Sequence, residues 1–280
     1  MKITNKLGLP EALVQAVSVQ KHNKDGQYSA TTLLKGACET VLQKRHWDEI
    51  EVDASESIWT VFGSATHSIF EKQKDNTFKE ESFSVPVSKS VVTGRVDSYD
   101  LETETLVDWK TASIWKVQFA DFSDWYKQGM VYAWLMKKSG LNVKRCKFIA
   151  LLKDHSKSKA RLDAGYPQSP VYVYQFDVTD KALQDIETFI TNKVQELEMA
   201  EQVADESLVP CTAEERWATS DKWAVMRNGR KTALKVCDSE EEANEFLATM
   251  KGDFVEFRQG ESKKCADYCN VCQWCAFCKK

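Results

Sequence analysis

The sequence predicts a mixed α/β fold with a small appended α+β unit and a cysteine-rich tail. Three observations carry this: stretches with 3–4 apolar spacing alternate with short apolar strands, helices and strands interleave along the chain, and five of nine cysteines lie between Cys265 and Cys278. Helical spacing runs from Ser29 to Arg45 through Leu33, Leu34, Ala37, Val41 and Leu42, and again from Ser57 to Lys72 through Ile58, Phe62, Ala65, Ile69 and Phe70. Val91–Tyr99 and Thr105–Thr111 read as strands joined by the polar turn Asp100–Glu104. A helix follows from Phe122 to Lys138, then strands at Cys146–Leu152 and Val171–Val178, then a long helix from Asp180 to Ala204. Beyond Pro210 the pattern is strand Trp223–Arg227, turn Asn228-Gly229, strand Lys231–Val236, helix Ser239–Met250 and strand Asp253–Arg258. The expected divisions are a core over residues 1–208, a subdomain over 209–260 and a tail over 261–280 that packs back on the core.

A chain of 280 residues is long enough for a substantial core, with 42% apolar residues, 11 Gly and 5 Pro. Collagen, coiled coil and disorder are excluded. Lys and Arg total 38 against 42 Asp and Glu, a net charge of −4, which argues against an indiscriminate nucleic-acid coat. No run approaches the ~18 apolar residues of a membrane span and the first residues lack a secretory signal, so the expected location is a cytoplasm, with no membrane partner. In such a reducing compartment, crowded cysteines fit a metal or iron–sulfur group better than disulfides. Cys146, Cys211 and Cys237 are expected to be core residues.

The hairpin places chemistry by geometry. A turn centred between Glu102 and Thr103 sets Asp97 opposite Asp108, and Lys110 shares the face of Asp108 while Trp109 points away. Facing carboxylates destabilise a sheet unless something offsets them, and a divalent cation held by oxygen ligands does so; magnesium and manganese are the candidates. Such a cation polarises a phosphodiester and acidifies its water, and an adjacent Lys stabilises the developing negative charge. The chemistry indicated is phosphodiester hydrolysis.

These residues resemble the PD-(D/E)XK nucleases, and within them the RecB-like exonucleases, including CRISPR-associated, AddB-type and phage members. Gly94-Arg95-Val96-Asp97 looks like the first acidic motif, Asp108-Trp109-Lys110 the D-x-K motif, Gly63-x-x-x-His67 the upstream histidine motif and Gln128-x-x-x-Tyr132 the downstream Q-x-x-x-Y motif. An isolated D-x-K is common on solvated strand edges and a lone helical His usually belongs to a core; it is their joint order that carries the likeness, over about Ser29 to Val178. The resemblance implies a restriction-endonuclease-like core, a DNA substrate and exonuclease activity in DNA processing or recombination. It makes His67, Asp97 and Asp108 metal ligands, joined by the Trp109 carbonyl, and Asp97, Asp108, Lys110, Gln128 and Tyr132 the catalytic group. An imidazole among oxygen ligands shifts preference towards manganese. Glu71, one turn after His67, can brace it. A recombination or strand-annealing protein is a further partner that the resemblance allows.

The resemblance also implies a 4Fe-4S cluster on Cys38, Cys269, Cys272 and Cys278, although Glu39 stands where a Pro often follows the first cysteine. A second register, Cys265, Cys269 and Cys275, resembles phage relatives, and zinc suits the Cys-x2-Cys pairs equally by spacing. Residues 137–161 hold nine basic residues and one acid. Lys137, Lys138, Lys144 and Arg145 are the candidate nucleic-acid contacts there, with a solvated basic face as the alternative. Trp115 and Trp125 are candidates for base stacking, or core. Two other readings stay open: a catalytically silent module that binds DNA ends, and a zinc-stabilised interaction protein.

Overall fold

The structure is a computed structural model and describes residues 1–17, 25–73, 75, 77–249 and 252–278. In chain order the first elements are β1 (Lys2–Thr4), α1 (Glu11–Val17), β2 (Gln27–Ser29), α2 (Ala30–Leu33), α3 (Ala37–Arg45), β3 (Glu51–Asp53) and α4 (Ile58–Glu71). There follow β4 (Thr77–Val87), β5 (Ser90–Asp100), β6 (Thr105–Ala112), α5 (Ile114–Gln118), α6 (Ser123–Lys138), β7 (Arg145–Leu152), α7 (Lys157–Leu162), β8 (Val171–Asp177) and α8 (Asp180–Ala200). The last are β9 (Lys222–Met226), β10 (Lys235–Cys237), α9 (Glu240–Thr249), β11 (Phe254–Arg258) and α10 (Lys263–Asp267).

The fold is mixed α/β, as expected, and a six-stranded mixed sheet forms its centre. Strands run in the order β2-β5-β6-β7-β8, with β4 on the other side of β5. The hairpin register is the expected one: Ser98, Tyr99 and Asp100 pair with Val107, Leu106 and Thr105. That ladder stops at Ser98, whereas β2 pairs with β5 only at Val91–Thr93. Residues 94–97 of β5 therefore face a fork between β2 and β6.

Helix α6 crosses one face of the sheet, with Met130, Val131, Leu135 and Met136 essentially inaccessible, and α8 covers it through Ile190, Val194 and Leu197. The close approach of α6 to β5 depends on Gly94. A Cβ there would lie 2.6 Å from Leu135 Cδ1 and 3.0 Å from the Tyr132 ring. The single helix expected over Ser29 to Arg45 is two. Ser29 Oγ accepts from Thr32 N to cap α2, and Gly36 starts α3 with no room for a side chain, since a Cβ would lie 2.3 Å from Cys211 Sγ.

A second small core joins Cys38, Val41 and Leu42 of α3 to Ile50, Leu208 and Val271, so the end of the chain packs on α3. A third, Val225, Cys237 and Ala243, lies under the separate three-stranded sheet β10-β9-β11. No helix among the described residues is long and apolar enough to cross a membrane.

Candidate active site

Four segments converge at the fork. Asp97 leaves β5 where the hairpin ladder ends, and its Oδ2 accepts the Trp109 backbone N–H at 2.7 Å. This bond stands in for the missing ladder contact and pins the carboxylate. From α4, His67 Nδ1 lies 3.3 Å from Asp97 Oδ1. Phe70 of α4 stacks on Trp109 at 4.1 Å, which fixes the helix over the outward-pointing face of β6 and so sets where His67 falls.

Asp108 points to the other face, is only 2% exposed, and its Oδ1 lies 2.6 Å from Lys110 Nζ. Lys110 Nζ donates to Gln128 Oε1 at 3.0 Å, and Gln128 Nε2 donates to Tyr132 Oη at 3.0 Å and reaches Asp108 Oδ2 at 3.5 Å. Gln128 and Tyr132 are four residues apart on α6 and thus share its sheet-facing side. The Gln128 amide holds the Lys110 ammonium with its oxygen and the tyrosine with its nitrogen.

The site also contains a residue that the sequence motifs leave out. Glu80 of β4 sits beside His67 and Asp97, and one ligand atom from each of the three lies within 4.8 Å of the others. Glu80 has φ of +55°, a left-handed backbone unusual for a non-glycine residue. Its carboxylate also pairs with Arg95 at 2.5 Å. The strand carrying it is legible in the alternation Phe83, Val85, Val87, but nothing in the pair Glu80-Glu81 marks the first as a site residue. Glu71 lies 3.8 Å from Arg95 rather than on His67.

The electrostatics follow from burial. Desolvation pushes Asp108 up to about 6, against the pull of Lys110 and with the nearby Asp97 adding to it. His67 is raised by its hydrogen bond to Asp97, burial opposing. Glu80 is raised by burial, Arg95 opposing. At both carboxylates burial outweighs the pull of the neighbouring cation, Lys110 or Arg95. Asp108 Oδ1 is fully buried, and its partner is the Lys110 ammonium. The His67 imidazole and the Glu80 and Asp97 carboxylates form a donor set that a hard divalent cation fits.

A second constellation lies at the start of α3. Cys38, Cys211, Cys265, Cys269 and Cys275 line one small cavity with Leu42, Val271 and Phe277, and Cys38 Sγ is 4.0 Å from Cys275 Sγ. Cys272 and Cys278 are joined as a disulfide. Members of both expected registers line this cavity: Cys265, Cys269 and Cys275 as free thiols beside Cys38, and Cys278, which is bonded to Cys272. Cys211 is in this cavity, whereas Cys146 and Cys237 are core residues, as expected. Its hydrogen bond with Cys38 lowers Cys211 to about 7 and raises Cys38. A cavity of free thiols in an apolar lining fits a thiolate-bound group.

Three of the four candidate nucleic-acid contacts are matched by carboxylates: Lys138 with Glu187 at 2.7 Å, Lys144 with Glu104 at 2.7 Å and Arg145 with Asp177 at 2.9 Å. Lys137 donates to Asn142 at 3.2 Å. Trp125 is buried against Phe148, and Trp115 is 56% exposed.

No family model matches the sequence, and no curated protein does. Among solved structures the chain is similar to the protein SSO0001, at 14% identity and a TM-score of 0.46, over 67% of this chain and 81% of that one. It is similar to the alkaline exonuclease of Laribacter hongkongensis, at 12% identity and a TM-score of 0.39, over 63% and 90%. A phage-related exonuclease from Haemophilus somnus gives 12% identity and a TM-score of 0.39, over 63% and 96%. The structural neighbours thus include exonucleases, and the chemistry of this chain is read from its own side chains.

Proposed function

We propose that the protein is a divalent-cation-dependent nuclease of PD-(D/E)XK type that hydrolyses phosphodiester bonds in DNA, acting from ends in DNA processing or recombination. One observation carries the reading: His67, Asp97, Asp108, Lys110 and Gln128, from α4, β5, β6 and α6, meet at one sheet fork in the donor pattern this chemistry needs. In this reading His67, Asp97 and Asp108 hold magnesium or manganese, with Glu80 beside them and the Trp109 carbonyl able to join. The bound cation supplies Lewis-acid activation of the phosphodiester and its attacking water. Lys110, held by Asp108 and Gln128, orients that water and stabilises negative charge developing on the phosphoryl oxygens. Gln128 and Tyr132 keep the ammonium aimed, because the bond from the amide nitrogen to the phenol fixes the orientation in which the amide oxygen accepts from Lys110.

A 4Fe-4S cluster held by Cys38, Cys265, Cys269 and Cys275 is part of the proposal, supported by the convergence of these free thiols in one cavity. Such a group would tie the end of the chain to α3 and supply structural cohesion. Anaerobically purified protein is expected to be brown and to carry iron; a colourless protein carrying zinc would replace the cluster by zinc.

Digestion of end-labelled linear and closed circular DNA, with magnesium, manganese or EDTA, tests the function. The expected result is cation-dependent loss of linear DNA with the circle spared. Absence of digestion under all cation conditions would leave a DNA-end-binding module as the reading; digestion of the circle would remove the end requirement.

A further inference from the structure

The basic stretch 137–161 separates into two sets once its partners are counted. Lys138, Lys144 and Arg145, near the start of β7, each face a carboxylate. Lys153, Lys157, Lys159 and Arg161, at the end of β7 and on α7, are exposed, and none has an ion-pair partner among the described residues. Lys137 and Lys147 have no ion-pair partner among the described residues either, but four of the six unpaired cations of this region lie past the C-terminal end of the parallel pair β6/β7.

That end of the sheet also carries an exposed ring. Trp59, at the start of α4, is 57% exposed, and the Lys153 ammonium lies 3.9 Å from its ring centroid. Phe62, one turn on, is 46% exposed and meets Trp59 edge to face at 6.4 Å. A large ring kept in water beside unneutralised cations is costly for a sheet edge with nothing to bind. The same helix delivers His67, and eight residues of helix place Trp59 about 12 Å along the axis from it.

We propose that Trp59, Phe62, Lys153 and the α7 cations form a binding track for an unpaired DNA strand that leads to the fork. This rests on the nuclease reading and adds the single-stranded character of the bound segment. Charge and rings choose this occupant: phosphates match cations that no carboxylate serves, and bases present stackable faces of any sequence. An apolar protein partner would use the rings and leave the α7 cations without a role.

The test uses the full chain in EDTA, where no cleavage occurs, and reads fluorescence anisotropy of a labelled oligo(dT) of about 20 nucleotides across a salt series. Trp59→Ala is expected to weaken binding about tenfold or more, with Trp59→Phe recovering most of it. The triple variant Lys157→Ala, Lys159→Ala, Arg161→Ala is expected to reduce the salt slope by about 2, at ~0.7 per phosphate contact. The double variant Lys138→Ala, Lys144→Ala is expected to stay within about twofold of the unsubstituted protein, because its cations are already spent on carboxylates. Wild-type affinity in the Trp59 and α7 variants, or failure of the unsubstituted chain to bind oligo(dT), overturns the track. If DNA is digested in that case, the nuclease reading stands without it; if the variants lose binding but no DNA is ever cut, the track stands and the nuclease reading falls.

Discussion

At the scale of single residues, the site is defined by groups held in states they would not choose alone. Glu80 is the clearest. Its left-handed backbone costs on the order of 1 kcal/mol for a residue with a Cβ, and the return is a carboxylate beside His67 and Asp97. Glu80→Gly is accordingly expected to raise stability by about 0.5–1 kcal/mol in denaturant unfolding while weakening manganese binding in calorimetric titration. A loss of stability with unchanged metal affinity would show that Glu80 serves the fold through Arg95 instead. Asp108 is the second such group, a fully buried carboxylate whose charge burial disfavours and a cation or Lys110 must restore. The motif residues were legible because D-x-K and Q-x-x-x-Y carry fixed spacing. Glu80 was not, because its role arises from strand pairing and backbone conformation, neither of which leaves a spacing signal.

At the scale of elements, the fork between β2 and β6 does the positioning. The hairpin turn and its register could be read from alternation and the polar connection, and both appear as expected. The point where the ladder ends could not, since it depends on β2 taking the same side of β5 from far away in sequence. For α6, the sequence shows the helix but not why it lies so close. Gly94→Ala drives a methyl against Leu135 and Tyr132, and is expected to cost about 1–3 kcal/mol and to lower cleavage by displacing the Tyr132–Gln128 pair. Thermal unfolding and the single-turnover rate check the two halves; an unchanged rate in the folded variant would separate Tyr132 from Lys110 alignment. The end of α3 makes a different prediction. His46 stacks on Trp274 at 4.2 Å and bonds Asp205 at 2.7 Å. Burial lowers the imidazole, but its hydrogen bonds to Asp205 and Glu49 outweigh this and raise it, while the His46 bond lowers Asp205. The raised His contributes fully below its unfolded value of about 6.5 and loses this as pH climbs through the folded value; the depressed Asp contributes fully above about 4 and loses it as pH falls further. His46→Ala is therefore expected to cost about 1 kcal/mol, most between about pH 4 and 6.5 and less at pH 8.5, in unfolding measured across that range. A penalty that grows with pH would remove the charged pair from the account.

At the scale of the whole molecule, the candidate site at the sheet fork and the thiol cavity at the start of α3 are separate constellations, and the net charge of −4 conceals where the unpaired cations are. Composition gave the local basic excess, but only the fold shows which of those side chains are neutralised. The cysteine tail was likewise legible as a metal-type cluster, while Cys211 was not, because it reaches the cavity through the space left by Gly36. Serine at Cys275 is expected to lower iron content in anaerobically purified protein, and serine at Cys237 to leave it unchanged. The account as a whole depends on a division of labour at the fork: Asp97 and its neighbours hold the cation and Lys110 acts on the reaction. Its most direct test is the single-turnover hydrolysis rate of Lys110→Ala on end-labelled DNA at saturating manganese. The expected rate is at least about 100-fold below that of the unsubstituted protein, the scale of losing one preorganised electrostatic group; an undiminished rate would contradict the assignment of this fork as the catalytic centre.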